Sequence, residues 1–303
     1  MAENSDKEYL DDKANDEQDI SDEIIPGEGP ETIKPIQETE NMEVHHHAHH
    51  DGKKNWRSYF WEFLMLFLAV FCGFLAEYQL EHKIESDRAK ELARSFYEEL
   101  KNDSVNVTLR VQNRIRQENS FLYLRDYFKD SSLTHVSKIF TINFLYGILF
   151  RSPAIFDPRT VVLEQLKNSG SLRYFKNEEL QKLIGDISVA IHNVNDRQAL
   201  ENSIRIEYLN PFIVQHYDYD FEMILRRDRK TDIFSATKEY ENSSEIIPFH
   251  FRAIEKFDKE RAMNIMGFYC FSGMESTRTV HLKRYIDLNA ALLQLLRNEY
   301  NLK

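Results

Sequence analysis

Fourteen consecutive residues, Phe63 to Ala76, carry neither a charge nor a strongly hydrogen-bonding side chain. A run this apolar has two physical outlets, the interior of a globule or the hydrocarbon of a bilayer. Its flanks favour the second. Tyr59, Phe60, Trp61 and Tyr78 extend it with rings that prefer a membrane–water boundary, giving the stretch YFWEFLMLFLAVFCGFLAEYQL from Tyr59 to Leu80. A helix rising about 1.5 Å per residue needs roughly 20 such residues to cross about 30 Å of hydrocarbon. Glu62 and Glu77 stand near the two edges, where their carboxylates reach water. The stretch reads as one transmembrane helix.

Charge divides the chain at the same place. Residues 1–52 hold 16 Asp/Glu against 3 Lys, whereas residues 53–303 hold 34 acids against 36 bases. The tail, poor in apolar residues, is expected to be disordered. The remainder is nearly neutral and no basic face dominates any segment, which argues against nucleic acid as a partner. Three regions follow: an acidic disordered tail (1–52), basic juxtamembrane residues with the transmembrane helix (53–80), and a helical domain (81–303). The tail ends in His45, His46, His47, His49 and His50. Neutral imidazoles at this density can chelate Zn²⁺, Ni²⁺ or Cu²⁺, and the plainer reading is a low-complexity tract with adventitious metal affinity.

The chain opens on acidic residues instead of a basic segment and apolar core, so the internal span is expected to act as its own uncleaved insertion signal. Lys53, Lys54 and Arg57 abut the span on its N-terminal side, and Glu77 and Glu81 occupy that place on the other. Lys83, Arg88, Lys90 and Arg94 follow slightly further on. The balance predicts a cytoplasmic N-terminus and an extracytoplasmic C-terminal domain. Cys72 in the span and Cys270 far beyond it are not expected to pair.

Beyond Glu81 the pattern is helical, and strand-like alternation is scarce. Apolar residues recur at helical spacing from Ile84 to Leu122, and no Gly or Pro separates them from the span. A single rod is therefore expected to leave the bilayer, with Asn102–Ser104 its weakest point. Ile139–Phe156 is too short an apolar block to span a membrane and reads as buried core. Thr160–Lys167 reads as a short helix closed by Gly170 in the left-handed region. Asn177 caps a helix whose stripe is Leu180, Ile184, Ile187, Ile191 and Val194 and continues through Ile204 and Tyr208, with a kink or break expected at Pro211. From Asp258 a last stripe runs through Met263, Met266, Cys270, Met274, Thr277, His281, Tyr285, Leu288, Leu292 and Leu295, with Gly267 and Gly273 as expected interruptions. The fold class is all-α: one transmembrane helix followed by an extended bundle of three long helices, with shorter ones among them.

Catalytic templates are missing. The sequence has no Gly-rich phosphate loop, GxSxG elbow, HExxH, paired CxxC or GxGxxG, and no Glu-x-x-His pair of the di-metal bundles. His281 and Thr277, one turn apart on the last stripe, are a candidate ligand-binding or pH-sensing pair or a hydrogen-bonded core pair. His216, Asp218 and Asp220 are a candidate cation site or a solvated aromatic segment, since a spacing of two splits carboxylates between helix faces. Ala69, Gly73 and Ala76 place small residues along one ridge of the span, where a second helix could pack. Phe121, Tyr123, Tyr127 and Phe128 read as core.

The segment KKNWRSYFWEFLMLFLAVFCGFLAEYQLEHKIE, Lys53 to Glu85, resembles the anchor of a group of uncharacterised single-span bacterial inner-membrane proteins, in which a His-rich acidic tail precedes a similar span. TVVLEQLKNSGSLRYFKNEELQKLI, Thr160 to Ile184, is similar to a block in a related membrane-anchored family. The resemblance implies an inner-membrane location and a helical domain after the span, and it transfers no catalytic residue. The expected function is a non-enzymatic binding, sensory or scaffolding protein, with the lipid bilayer and a protein partner or second copy as its contacts. Metal handling by the His cluster is the alternative, and an unrecognised membrane-anchored enzyme the further one.

Overall fold

The computed structural model describes residues Asn55–Lys303, whose regular elements are all helices, with no strand among them. The expected tail, His45, His46, His47, His49 and His50, and Lys53–Lys54 lie outside the described residues. Helix α1 is Trp56–Asp130, 75 residues long. Nothing in the sequence stops it at Leu80, so it continues for about 75 Å beyond that residue at 1.5 Å per residue. The weak point expected at Asn102–Ser104 is no break. Asn102 Nδ2 donates to Glu98 O at 2.8 Å, within the helix. The Asp103 carboxylate is drawn away from its own backbone by donors on other segments.

The apolar block after α1 forms core, as expected. In α2 (Lys138–Phe144) the Ser137 side chain accepts the Phe140 N–H, and the helix runs into a π turn, Leu145–Leu149. Phe140, Phe144, Leu145 and Ile148 are fully buried. Helix α3 (Val161–Asn168) ends before Gly170, whose φ of 68° is the left-handed conformation that favours glycine. Its N-terminus is capped from a distance: the Val162 and Leu163 N–H groups donate to the Glu99 carboxylate of α1.

Helix α4 (Glu178–Ile204) starts on Asn177, which accepts from the Glu179 and Leu180 N–H groups. Its predicted stripe from Leu180 to Val194 is buried. Before Pro211 the regular α-helix gives way without a complete break. A π turn, Arg205–Leu209, precedes α5 (Asn210–His216), which places Pro211 in a first turn where its missing N–H is tolerated. Two short helices, α6 (Tyr219–Leu225) and α7 (Ile233–Asn242), start on Asp218 and Asp232.

Helix α8 (Lys259–Gly267), the π stretches Phe268–Glu275 and Thr277–Leu282, and α9 (Lys283–Tyr300) form one nearly continuous path. Gly267 and Gly273 do not interrupt it. At Gly273 the path winds on as a π stretch, and a Cβ there would meet Glu201 Cγ of α4 at 3.5 Å, an ordinary contact distance.

The three expected long helices thus line up as α1, α4 with α5, and α8 through α9. They enclose two apolar cores along α1. The first gathers Ala93, Phe96, Tyr97, Leu100 and Val107 with α3, α4 and α9. The second gathers Phe121, Leu124 and Phe128 with α2, α5, α6, α7 and α8, and is rich in phenylalanine. Phe128 has four Phe neighbours, Phe140, Phe212, Phe251 and Phe257, at ring-centroid distances of 5.0–6.2 Å. Phe121 and Phe128 are core as expected, with Tyr123 and Tyr127 packed against them. Each such ring removes roughly 1.5–3 kcal/mol worth of apolar surface from water.

Candidate functional site

Two features of this architecture are not explained by packing alone. The first is the apolar part of α1. Its most hydrophobic 18-residue window has a mean hydropathy of 2.0, and none of it is buried. Phe63, Met65, Leu66 and Phe74 are each about two-thirds exposed. Phe63, Phe67 and Phe71 stack at one-turn intervals, with centroids 6.2 and 5.9 Å apart. A folded chain in water does not ordinarily leave a continuous apolar cylinder uncovered. Among the small residues Ala69, Gly73 and Ala76, a Cβ on Gly73 would meet no atom within 4 Å, so the ridge is open for close approach.

The second is a polar layer between the two cores, at the level of Arg114–Glu118 on α1. Arg114 is fully buried and forks onto Glu201 of α4, with Nη1 to Oε1 at 2.8 Å and Nη2 to Oε2 at 3.1 Å. Its Nε donates to Ala154 O at 2.9 Å. Glu118 takes a matching fork from Arg278, at 2.8 Å to Nε and 2.7 Å to Nη2. Gln117 Nε2 donates to Gly147 O and Phe150 O. Gln198 closes the backbone of Phe156 from both sides, accepting from its N–H and donating to its C=O.

These groups belong to the apolar stripes by position. Gln198 and Glu201 continue the 3–4 spacing of Leu180–Val194, and Asp103, Arg114 and Gln117 fall in register with Leu100, Val107 and Phe121. That register is the sequence signal for the layer, which spacing of apolar residues alone passed over. Buried pairs of this kind contribute little net stability but penalise every wrong alignment of the helices, because misalignment strands a charge.

The predicted site residues are placed as follows. Thr277 is buried and donates to Gly273 O at 3.0 Å, a core hydroxyl returning to its own helix. His281 is half-buried, and burial together with the Arg197 charge holds its imidazolium below the ordinary pKa. Glu99 caps α3, and Asp103 accepts from the Tyr285 hydroxyl.

His216, Asp218 and Asp220 do come together, around Arg252. The guanidinium lies 2.6 Å from both Asp218 Oδ1 and Asp220 Oδ2, and His216 Nδ1 lies 2.8 Å from Arg252 O. Asp218 also accepts the His250 N–H at 2.7 Å. An arginine thus fills the place of the expected cation. Among the described residues no cluster of His, Cys, Asp and Glu has the arrangement of a metal site.

No protein-family model matches the chain, and no curated protein or solved structure is similar to it.

Proposed function

We propose that the protein is a single-span membrane protein whose helical domain binds a partner, senses a condition or scaffolds an assembly without catalysing a reaction. The observation that carries this reading is the uncovered apolar segment of α1, for which lipid tails are the fitting solvent. Its flanking charges favour a cytoplasmic N-terminus and an extracytoplasmic domain, and the likeness of Lys53–Glu85 to bacterial inner-membrane anchors favours that membrane.

The non-enzymatic part rests on what the buried polar groups do. Glu99, Asp103, Arg114, Glu118 and Glu201 are all engaged in joining helices. Because α1 runs unbroken from the apolar segment into both cores, a shift or rotation at one end reaches the other through a rigid element. Ala69, Gly73 and Ala76 are where a second copy would pack. Alkaline extraction of the expressed full chain tests the span: retention in the membrane pellet supports it, and a folded, monodisperse product in the supernatant refutes it. A reporter fused after Lys303 tests the orientation.

The metal-handling alternative rests on His45, His46, His47, His49 and His50. Calorimetry of the Met42–Gly52 peptide with Zn²⁺, Ni²⁺ and Cu²⁺ decides it, and affinity no better than about micromolar removes it.

A further inference from the structure

After α3 the chain turns through Gly170, in its left-handed conformation, into a 3₁₀ stretch, Ser171–Tyr174. Leu172 packs against the first core and Phe175 is fully buried, which fixes this stretch beside α1. Two arginines converge on the hydroxyl of half-buried Tyr174. Arg88 Nη1 on α1 and Arg173 Nη2 each donate to it at 3.4 Å. Neither guanidinium forms an ion pair among the described residues, and Glu81 and Glu85 act on Arg173 only from outside ion-pair distance. A phenol is neutral, so it gathers two positive charges without offsetting either. Donation from Arg173 and Arg88 holds that phenol below its ordinary pKa.

A cleft of about 350 Å³ opens at this point, lined by Arg88, Ser95, Gln165, Ser171 and Tyr174, with Glu91 as its one carboxylate. Its polar wall is mostly donors: a guanidinium, an amide and three hydroxyls. That set suits an anionic group rich in acceptors, and a phosphate above all, because the guanidinium fork matches its oxygens.

The position on α1 selects the source of the phosphate. Arg88 stands eight residues beyond Leu80, about 12 Å along the axis. Headgroups fill roughly 5–7 Å outside the hydrocarbon on each side of a bilayer. Side chains on a helix lean toward its N-terminus, here toward the membrane, and a long arginine covers the remaining distance.

We propose that Arg88, Arg173 and Tyr174 bind one phosphate group in this cleft, that of a phospholipid headgroup. The phosphate bridges the two guanidiniums, and Ser171 and Gln165 lie in the same cleft for its ester substituents. The lipid source rests on α1 being a membrane span; the phosphate chemistry does not.

Thermal unfolding of the full chain in a maltoside detergent, in phosphate-free buffer at constant ionic strength, tests this. The expected result is a saturable rise in Tm as phosphatidylglycerol is added to the micelles, absent with diacylglycerol of the same chains. Arg88→Gln combined with Arg173→Gln removes two exposed guanidiniums, keeps the fold, and should need at least roughly tenfold more phosphatidylglycerol for the same rise. Lys83→Gln combined with Lys90→Gln removes the same charge from α1 outside the cleft and should respond as wild type does. A wild-type Tm indifferent to both phosphatidylglycerol and inorganic phosphate overturns the site. So does an arginine variant that responds like wild type, or a lysine variant that loses the response equally. A rise with inorganic phosphate and none with phosphatidylglycerol keeps the phosphate site and overturns the lipid source. Failure of the span itself shows separately, as a chain that is folded and soluble without detergent.

Discussion

The Tyr285 hydroxyl on α9 donates to Asp103 Oδ2 on α1 at 3.1 Å, and the Arg159 N–H donates to the same oxygen at 3.0 Å. One carboxylate oxygen thereby ties α1, α9 and the segment before α3 together. Burial pushes the Asp103 carboxyl up to about 6 from 3.8, against the pull of its two donors. Below 3.8 it is protonated whether the chain is folded or not. As pH rises toward about 6 the unfolded chain releases a proton that the folded one retains, so this group favours folding less and less, and the loss is complete above that value.

Asp103→Asn should flatten that pH dependence. An amide oxygen in the place of Oδ2 can accept both donors, and no ionisation remains to oppose burial. Chemical unfolding between about pH 4 and 8 should show the variant more stable than wild type at the alkaline end, by up to roughly 3 kcal/mol. An unchanged slope would contradict the assignment. Tyr285→Phe acts the other way: losing a donor raises Asp103 further and costs about 1–2 kcal/mol, more at about pH 8 than at about pH 5.

The Arg114–Glu201 fork predicts an asymmetry between single and paired substitution. Glu201→Gln leaves a fully buried guanidinium facing a neutral amide and should lose about 3–5 kcal/mol in chemical unfolding. Arg114→Met combined with Glu201→Leu removes both charges and should recover most of that. A double variant as unstable as the sum of its singles would show no coupling between the two residues and contradict the fork.

How far the sequence carried is visible in particular residues. Leu180, Ile184, Ile187, Ile191 and Val194 were legible because one helix face demands a 3.6-residue period. Gly170 and Asn177 were legible because a left-handed φ and an N-cap are local requirements, met by their own residue types. The break expected at Gly273 was a misreading of the same logic. The helix path continues through it as a π stretch, because neighbouring residues supply the packing that holds the path. Glu99 capping α3 and Arg114 meeting Glu201 were illegible as pairs, since their partners lie 63 and 87 residues on. Only the register of these polar residues within apolar stripes marked them.

Two glycines should respond differently to an added methyl. At Gly147 a Cβ would lie 3.2 Å from Ser120 Cβ and 3.5 Å from the Phe121 backbone nitrogen, where α2's continuation presses on α1. Gly147→Ala should therefore lose about 1–3 kcal/mol of stability. Gly73→Ala meets nothing in its own chain, so domain stability should stay unchanged. If Ala69, Gly73 and Ala76 form a helix-packing ridge, bulkier Gly73→Ile lowers self-association in a membrane two-hybrid assay; unchanged association would discard the ridge.

The two cysteines separate lipid exposure from burial. Cys270 is 1% exposed, and burial pushes its thiol up to about 12, so the nucleophilic thiolate is scarce at neutral pH. It should resist every maleimide until the domain unfolds. Cys72 lies uncovered on the apolar part of α1. If that part sits in lipid, a membrane-permeant maleimide can reach Cys72 by partitioning, whereas a charged, impermeant one cannot approach it. In intact vesicles the expected pattern is one slow label per chain from the permeant reagent and none from the impermeant one, rising to two from either reagent after denaturation. Rapid labelling of Cys72 by the impermeant reagent would place the apolar segment in water and remove the membrane span.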